Sequence, residues 1–206
     1  MASIPKAIKE MAALHGEKVI DAYKFAAHAH KDEKRGSGEP YITHPVAVAK
    51  LLFGAGADID VIIAALLHDT LESNESEQHI VDQIYALFGD QVLYLVQAVS
   101  KDCKITDKKV QQDEYMNQIE RSFGVDISVF TIKIADLIHN LSTIDGLPIE
   151  RKKRWIHELH TQYFPVFTGY FHRVPLGQQQ LFMNLMDALE RELAHFDALH
   201  NTFSEE

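Results

Sequence analysis

The segment VIIAALLHDTLES contains the first residues whose types and order could do chemistry. An uninterrupted apolar run, residues 61–67, is followed directly by His68 and Asp69. A helix this apolar is expected to be buried, and burying polar groups at its end costs several kcal/mol unless they are paired or bind a metal. With 12 histidines in the chain, one His-Asp pair is expected by chance, so its meaning depends on the residues around it.

A second apolar segment, residues 126–144, places polar groups on one helix face. Its apolar residues recur at helical spacing, and Asp136, Asn140 and Thr143 stand at positions i, i+4 and i+7. At about 100° per residue these three side chains lie within about 60° of one another. In the earlier segment, Glu72 shares the face of His68 if that helix continues far enough.

These side chains together predict a divalent-metal site. His44, His68, Asp69 and Asp136 offer two nitrogen and two oxygen ligands, a mixture that suits manganese, iron or zinc better than calcium. A metal lowers the pKa of a water and neutralises charge on a phosphoryl group, and Glu72 could orient or deprotonate that water. Each residue taken singly also has a structural interpretation: His44 as a helix cap and Asp136 as a hydrogen-bonded core group.

The composition limits the classes of partner. The chain has 206 residues, 46% of them hydrophobic, which is enough for one domain with a sizeable core. A net charge of −10 without a basic stripe disfavours a nucleic-acid partner but leaves a small phosphorylated ligand open. The single cysteine, Cys103, excludes a disulfide framework and a cysteine-based zinc site.

The sequence also predicts no association with a membrane. No apolar run reaches the ~20 residues needed to span a bilayer, and the N-terminal MASIPKAIKE lacks an apolar signal core. We therefore expect a cytoplasmic protein.

Helical spacing dominates the chain, and no alternating strand, internal repeat or low-complexity linker interrupts it. KRGSGEP (34–40) is predicted as a loop from its glycines and proline. The sequence predicts an all-α fold in a single domain, 1–206, with C-terminal helices (about 148–200) packed as part of it. The predicted helices cover 15–31, HPVAVAKLLFGAG, 60–70, 76–88, 90–100, 107–122, 126–144, 148–163 and 177–197.

Three segments resemble a known family. RGSGEPYITHPVAVAKLL, AALLHDTLE and IKIADLIHNLSTI are similar to the hydrolase half of the RelA/SpoT family, within the HD superfamily of metal-dependent phosphohydrolases. The resemblance implies an HD-domain helical bundle that binds one manganese ion. It also implies removal of pyrophosphate from the 3′ position of the alarmone ppGpp (guanosine 3′,5′-bis(diphosphate)), giving GDP, as in small stand-alone alarmone hydrolases of the stringent response.

The resemblance also assigns roles to individual residues. His44, His68, Asp69 and Asp136 correspond to the metal ligands, and Glu72 to a residue that helps activate the attacking water. The residues that correspond to the nucleotide-binding side are Arg35, Ser37, Asn140 and Thr143. Tyr41 is expected to support the loop.

Three positions depart from the family pattern. The catalytic Glu-Asp pair is Glu72-Ser73 here, so one carboxylate is replaced by a hydroxyl, a very poor base near pH 7. Gly36 stands where a second basic residue is usual, and Leu137 stands where an arginine is usual.

These departures leave two alternatives to ppGpp hydrolysis. One is an HD phosphohydrolase that acts on another phosphorylated nucleotide such as NADPH. The other is a catalytically weakened module that binds an alarmone. The sequence does not indicate an oligomeric state.

Overall fold

The computed structural model describes residues 3–72 and 76–201, with side chains up to residue 196. Within these ranges the backbone is helical and contains no strand, only one isolated β-bridge between Lys34 and Pro40. The α-helices are α1 (Lys6–His15), α2 (Lys18–Ala29), α3 (Thr43–Gly54), α4 (Ile59–Leu67), α5 (Glu77–Phe88), α6 (Asp90–Val99), α7 (Lys108–Phe123), α8 (Ser128–Ser142), α9 (Ile149–Glu158), α10 (Phe164–Tyr170) and α11 (Leu176–Asn201).

Helix α8 lies at the centre of the bundle. It contacts α3, α4, α6, α7 and α11, so neighbours cover it on more than one side. Every residue from Val129 to Ile138 is buried, which agrees with the two apolar faces of its sequence. Helix α4 is equally apolar and is buried from Val61 to Leu67. Helix α8, which carries Asp136, and helix α4, which ends directly before His68, are therefore both enclosed by the fold.

An aromatic cluster joins the C-terminal helices to the rest of the bundle. Phe130 of α8 lies 4.4 Å from Phe123 of α7 and 5.1 Å from Phe167 of α10, measured between ring centroids. Such pairs stabilise packing by about 0.5–1.5 kcal/mol each beyond the area they bury. Together with the packing of α11 on α8, they attach the C-terminal helices to the bundle, and the single domain 1–206 stays a prediction.

The predicted helix 148–163 is interrupted. Helix α9 ends at Glu158, one π-helical turn follows over Leu159–Tyr163, and α10 begins at Phe164. Pro165 accounts for the change, because it has no N–H to donate to a carbonyl in the preceding turn and its ring clashes there. The π turn places Tyr163 in the interior, where it reaches the site described below.

The all-α prediction is confirmed, and most helices fall where the periodicity placed them. Helix α1 was not predicted, since only Ile8 and Met11 of its ten residues are buried and the apolar pattern is short. The predicted helix 60–70 ends at Leu67, so His68 and Asp69 lie in a turn that leads into a 3₁₀ turn, Thr70–Glu72. In the part of the chain that the structure covers, no helix has the length and apolar character needed to cross a membrane.

Candidate metal centre

Four polar atoms from three elements converge in the interior. The Nε2 atoms of His44, at the start of α3, and of His68, after α4, lie 3.2 Å apart. Asp136 of α8 brings Oδ1 to 3.0 Å from Nε2 of His44 and 3.8 Å from Nε2 of His68. Asp69 brings Oδ2 to 3.5 Å and 3.2 Å from the same two nitrogens. The structure thus brings together all four side chains that the sequence predicted as metal ligands.

Hydrogen bonds on the far side of each imidazole fix its orientation. Nδ1 of His68 donates to the carbonyl of Ala65 at 2.8 Å, so its Nε2 can carry the lone pair. Nδ1 of His44 lies 2.7 Å from Nδ1 of His139. Burial, and then the neighbouring His44, lower the pKa of His139 to about 4, so His139 stays neutral at neutral pH and can accept from Nδ1 of His44. With Nδ1 of each ring engaged, Nε2 is the nitrogen that faces the convergence point.

The donor set fits a divalent cation. Ligand atoms about 2.0–2.2 Å from one ion lie roughly 2.8–3.6 Å from their neighbours, and four of the five distances above fall in that range. The ligand atoms of His44, His68 and Asp136 all lie within 4.8 Å of one another, and all three side chains are buried. Two imidazoles and carboxylate oxygens suit transition metals better than calcium.

Asp136 is held by two further side chains from its own helix. Nζ of Lys133 donates to Oδ2 at 2.8 Å, and Nδ2 of Asn140 donates to Oδ1 at 2.6 Å. Burial alone would raise the pKa of Asp136, but Lys133 and the two imidazoles outweigh it and keep the pKa well below its ordinary value. Asp136 is therefore ionised and oriented toward the histidines.

Lys133 contacts the candidate metal centre and was not predicted from the sequence. It is buried, and its ammonium group lies 5.2 Å from the ring centre of Tyr115 and 5.3 Å from that of Tyr163. Cation–π contacts of this kind contribute about 2 kcal/mol when desolvated. The sequence does contain a feature that indicates Lys133. A lysine within the apolar segment IKIADLI is as costly to bury as the aspartate that follows it.

The charges at this centre predict how metal binding depends on pH. Burial would lower the pKa of His68, but Asp69 and Asp136 outweigh it and raise that pKa well above its ordinary value. Without a metal His68 is thus protonated at neutral pH, and a metal must displace one proton. We expect the association constant for Mn²⁺ to rise about tenfold per pH unit below that pKa. Competition with a chelator between pH 6 and 8 measures this slope, and a flat profile would contradict it.

Asp69 has a second partner from the loop before α3. The hydroxyl of Tyr41 donates to its Oδ2 at 2.8 Å. Burial, followed by the charge of Asp69, raises the pKa of Tyr41, so the phenol stays protonated as a donor. Gly38 (φ 89°) lets this loop turn, since that backbone conformation favours glycine. Tyr41 therefore links the loop directly to the metal centre, a closer role than the predicted support of the loop.

Glu72 lies at the edge of the same pocket, although α4 does not continue to it. The 3₁₀ turn brings it back, and its Oε1 accepts the backbone N–H of Lys101 at 2.7 Å. Desolvation of the carboxylate, followed by the charge of Asp69, raises the pKa of Glu72. A raised pKa makes the ionised form a better proton acceptor. Ser73, the other predicted catalytic residue, lies outside the described residues.

A central pocket of ≈ 180 Å³ encloses this centre. It adjoins a loop cavity of ≈ 280 Å³, and both are lined by Tyr41, Asn140 and Trp155. The loop cavity also contains the remaining residues of the predicted nucleotide side, Arg35, Ser37 and Thr143.

Arg35 connects the two spaces. One of its terminal nitrogens donates to Oδ1 of Asn140 and to Oγ1 of Thr143, each at 3.0 Å. Since Asn140 in turn donates to Asp136, a continuous chain of hydrogen bonds runs from the loop cavity to the metal centre. These hydrogen bonds agree with the prediction that Asp136, Asn140 and Thr143 lie on one face of a helix.

Curated relatives are similar in sequence to most of this chain. The bifunctional (p)ppGpp synthase/hydrolase SpoT of Escherichia coli is 39% identical over 152 residues, which are 73% of this chain and 21% of that protein. A guanosine-3′,5′-bis(diphosphate) 3′-pyrophosphohydrolase of Aquifex aeolicus is 38% identical over 152 residues, covering 74% of this chain and 21% of that protein. The chain spans about a fifth of the length of these relatives.

The solved structures and the family comparison agree on the fold. A metazoan ortholog of SpoT that hydrolyses ppGpp superposes with a TM-score of 0.62 at 23% identity, over 92% of this chain and 98% of that chain. The family model described as HD domain matches residues 22–168, a range that contains His44, the His68-Asp69 pair and Asp136. The resemblance seen in the sequence is thereby confirmed, and the chain belongs to the HD domain family.

Proposed function

We propose that the protein is a metal-dependent phosphohydrolase that removes pyrophosphate from the 3′ position of ppGpp, giving GDP. The observation that carries this proposal is the convergence of two imidazoles and two carboxylates beside a cavity lined by Arg35, Asn140 and Thr143. The names of the relatives support the substrate, a small phosphorylated nucleotide. We further propose a cytoplasmic location, with which the free and exposed Cys103 is compatible.

The metal in this proposal is one manganese ion, held by His44, His68, Asp69 and Asp136. Asp69 is included because its Oδ2 faces both histidine Nε2 atoms. A bound divalent cation supplies charge neutralisation at the phosphoryl group and acidifies a water. Tyr41 and Lys133 orient the two carboxylates through the oxygens to which they donate.

Glu72 is the general base in this proposal. It accepts a proton from the attacking water, whose oxygen forms a bond to the phosphorus next to the 3′-oxygen. The bond between that phosphorus and the 3′-oxygen breaks, and the 3′-oxygen takes up a proton. One ppGpp and one water thus give GDP and pyrophosphate. Lys101, whose backbone N–H holds Oε1 of Glu72, keeps the base directed at the pocket.

The loop cavity holds the nucleoside in this proposal. Arg35 presents its guanidinium beside the ring of Tyr41, 5.8 Å from the ring centre, and is fixed by Asn140 and Thr143. A planar, immobilised guanidinium can stack on a nucleobase or donate to it. Ser37 lines the same cavity and adds a hydroxyl.

The test is release of pyrophosphate from ppGpp by the purified protein across a series of divalent metals. We expect turnover with manganese and a loss of at least about 100-fold in Asp69→Ala, because one ligand to the metal is removed. Asp82→Ala is the matched control, since Asp82 is exposed on α5 and, within the described ranges, has a side-chain hydrogen bond to Gln78 only. Absence of turnover with every metal would overturn the proposal. Binding of ppGpp without turnover would instead indicate the alarmone-binding module that Ser73 suggests.

A second candidate substrate is another phosphorylated nucleotide, such as NADPH. Gly36 favours it, because the loop cavity is open where relatives carry a basic side chain. The nearest atom to a Cβ placed on Gly36 is Cδ2 of Leu147, at 3.5 Å, so the space is free rather than blocked. A panel of phosphorylated nucleotides assayed in parallel decides between the two. A much higher kcat/KM for ppGpp than for the rest of the panel would exclude this candidate.

A further inference from the structure

A basic groove of ≈ 580 Å³ adjoins the central pocket. Its cations come from three places in the chain: Lys101 after α6, Lys108 and Lys109 at the start of α7, and Arg151 and Arg154 on α9. The groove and the central pocket share Lys101, Trp155 and Glu158.

The charge of the groove is opposite to that of the chain. The chain carries 30 acidic and 20 basic residues, yet five basic side chains line the groove against Asp113 and Glu158. Close like charges repel one another, so a cluster of this kind is destabilising unless solvent or an anion compensates it.

In the part of the chain that the structure describes, no ion pair neutralises the lysines and arginines of the groove. Among the described residues, none of these five cations lies within 4.0 Å of a carboxylate oxygen. Other lysines nearby are paired: Lys104 with Glu77 at 2.7 Å, and Lys152 with Asp145 at 3.1 Å. The groove therefore keeps its positive charge available to a ligand.

Hydrogen bonds hold the wall between groove and pocket in place. Nζ of Lys101 donates to Oε1 of Gln112, and Nε2 of Gln112 donates to Gln162 and to the hydroxyl of Tyr163. This chain ties α7 to the π turn. Trp155, which is half-buried, lines the groove, the central pocket and the loop cavity. An elongated ligand in the central pocket can thus extend past Trp155 into the groove.

We propose that the basic groove is a second anion site that binds a diphosphate group. Arginine is suited to this role, because its fork of N–H donors binds phosphate oxygens in pairs. The diphosphate has two sources under the proposed function, on which this identification rests. It is either the 5′-diphosphate of the bound ppGpp or the pyrophosphate that leaves after cleavage.

The first experiment measures anion binding without hydrolysis. Trp155 is the only tryptophan in the chain, so its fluorescence reports on binding in the spaces that it lines, and the arginine variants assign the signal to the groove. Inorganic pyrophosphate is titrated in the presence of a chelator, which keeps it from binding through a metal. We expect saturable binding, weakened at least about tenfold in the Arg151→Gln/Arg154→Gln double variant by loss of the charge-assisted hydrogen bonds. Lys153→Gln is the matched control, because Lys153 lies on the same helix, is exposed and pairs with Glu150.

The second experiment separates the two sources. If the groove holds the 5′-diphosphate, the double variant raises KM for ppGpp more than KM for the analogue with a 5′-monophosphate, with kcat nearly unchanged. If the groove holds the released product, KM is unchanged and inhibition by pyrophosphate weakens. Equal pyrophosphate binding by wild type and double variant, or none by either, overturns the groove proposal.

The two proposals can fail separately. Pyrophosphate binding that depends on the arginines, without any hydrolysis of ppGpp, would leave the anion site standing and reject the proposed function. If the double variant hydrolyses ppGpp and binds pyrophosphate as well as the wild type does, the proposed function stands and the anion site is rejected.

Discussion

Asp136→Asn is expected to abolish binding of the divalent cation and to lower kcat/KM for ppGpp by about 10³-fold or more. The substitution removes the charge of the carboxylate whose Oδ1 lies 3.0 Å from Nε2 of His44. Loss of a metal ligand has a larger effect than loss of a residue that only orients a ligand, which typically costs 10- to 100-fold. Metal content by mass spectrometry and the rate of pyrophosphate release measure the two expected losses.

The same substitution also affects stability, and a second variant separates the two effects. Asp136→Asn leaves the buried ammonium of Lys133 without a counter-charge, and breaking a buried pair in this way costs about 3–5 kcal/mol. The double variant Asp136→Asn/Lys133→Met removes both charges and is expected to recover most of the lost unfolding free energy. It should still bind no metal. A double variant that regains activity along with stability would show that Asp136 is a structural residue.

Glu72→Gln is expected to lower kcat by about 10²- to 10⁴-fold while leaving metal content unchanged, because the side chain keeps its shape but loses its proton affinity. Its Oε1 can still accept the backbone N–H of Lys101. Glu77→Gln is the control, since Glu77 is exposed and pairs with Lys104 outside the central pocket. Steady-state kinetics and metal analysis on the same preparations make the comparison.

The pH profile gives an independent readout of Glu72. A general base must be ionised, so activity rises as the pH increases through its pKa, which desolvation and Asp69 raise above the ordinary value. In Glu72→Gln that acidic limb should disappear from kcat, measured with metal at saturating concentration so that the proton on His68 does not contribute. An unchanged limb, or an unchanged kcat, would assign the water-activating role to another group.

Several site residues could be predicted from the sequence because their signal is local. The run of apolar residues before His68, and the spacing of Asp136, Asn140 and Thr143 on one helix, need only helical geometry to be interpreted. Asn140 does donate to Asp136, as a shared face requires. The family motifs added Arg35 and Ser37, whose positions no periodicity indicates.

Other features could not be predicted because they depend on contacts between distant parts of the chain. Arg35 is hydrogen-bonded to Asn140, which lies 105 positions away in the sequence, and His44 is hydrogen-bonded to His139, which lies 95 positions away. The predicted helix through residue 70 was wrong at its end, yet Glu72 still reaches the pocket because the backbone of Lys101 binds its carboxylate. Local periodicity contains no information on such pairs.

The sequence by itself determined the helical class, the buried helices α4 and α8, and the imidazoles and carboxylates on or beside the helices. Only the tertiary structure decided what surrounds those groups. Lys133 holds Asp136 because Tyr115 of α7 and Tyr163 of the π turn enclose its ammonium group. The basic groove exists because residues of α7 and α9 line the same space beside Trp155. Helical periodicity is set by neighbours along the chain, whereas a binding surface is set by elements that only folding brings together.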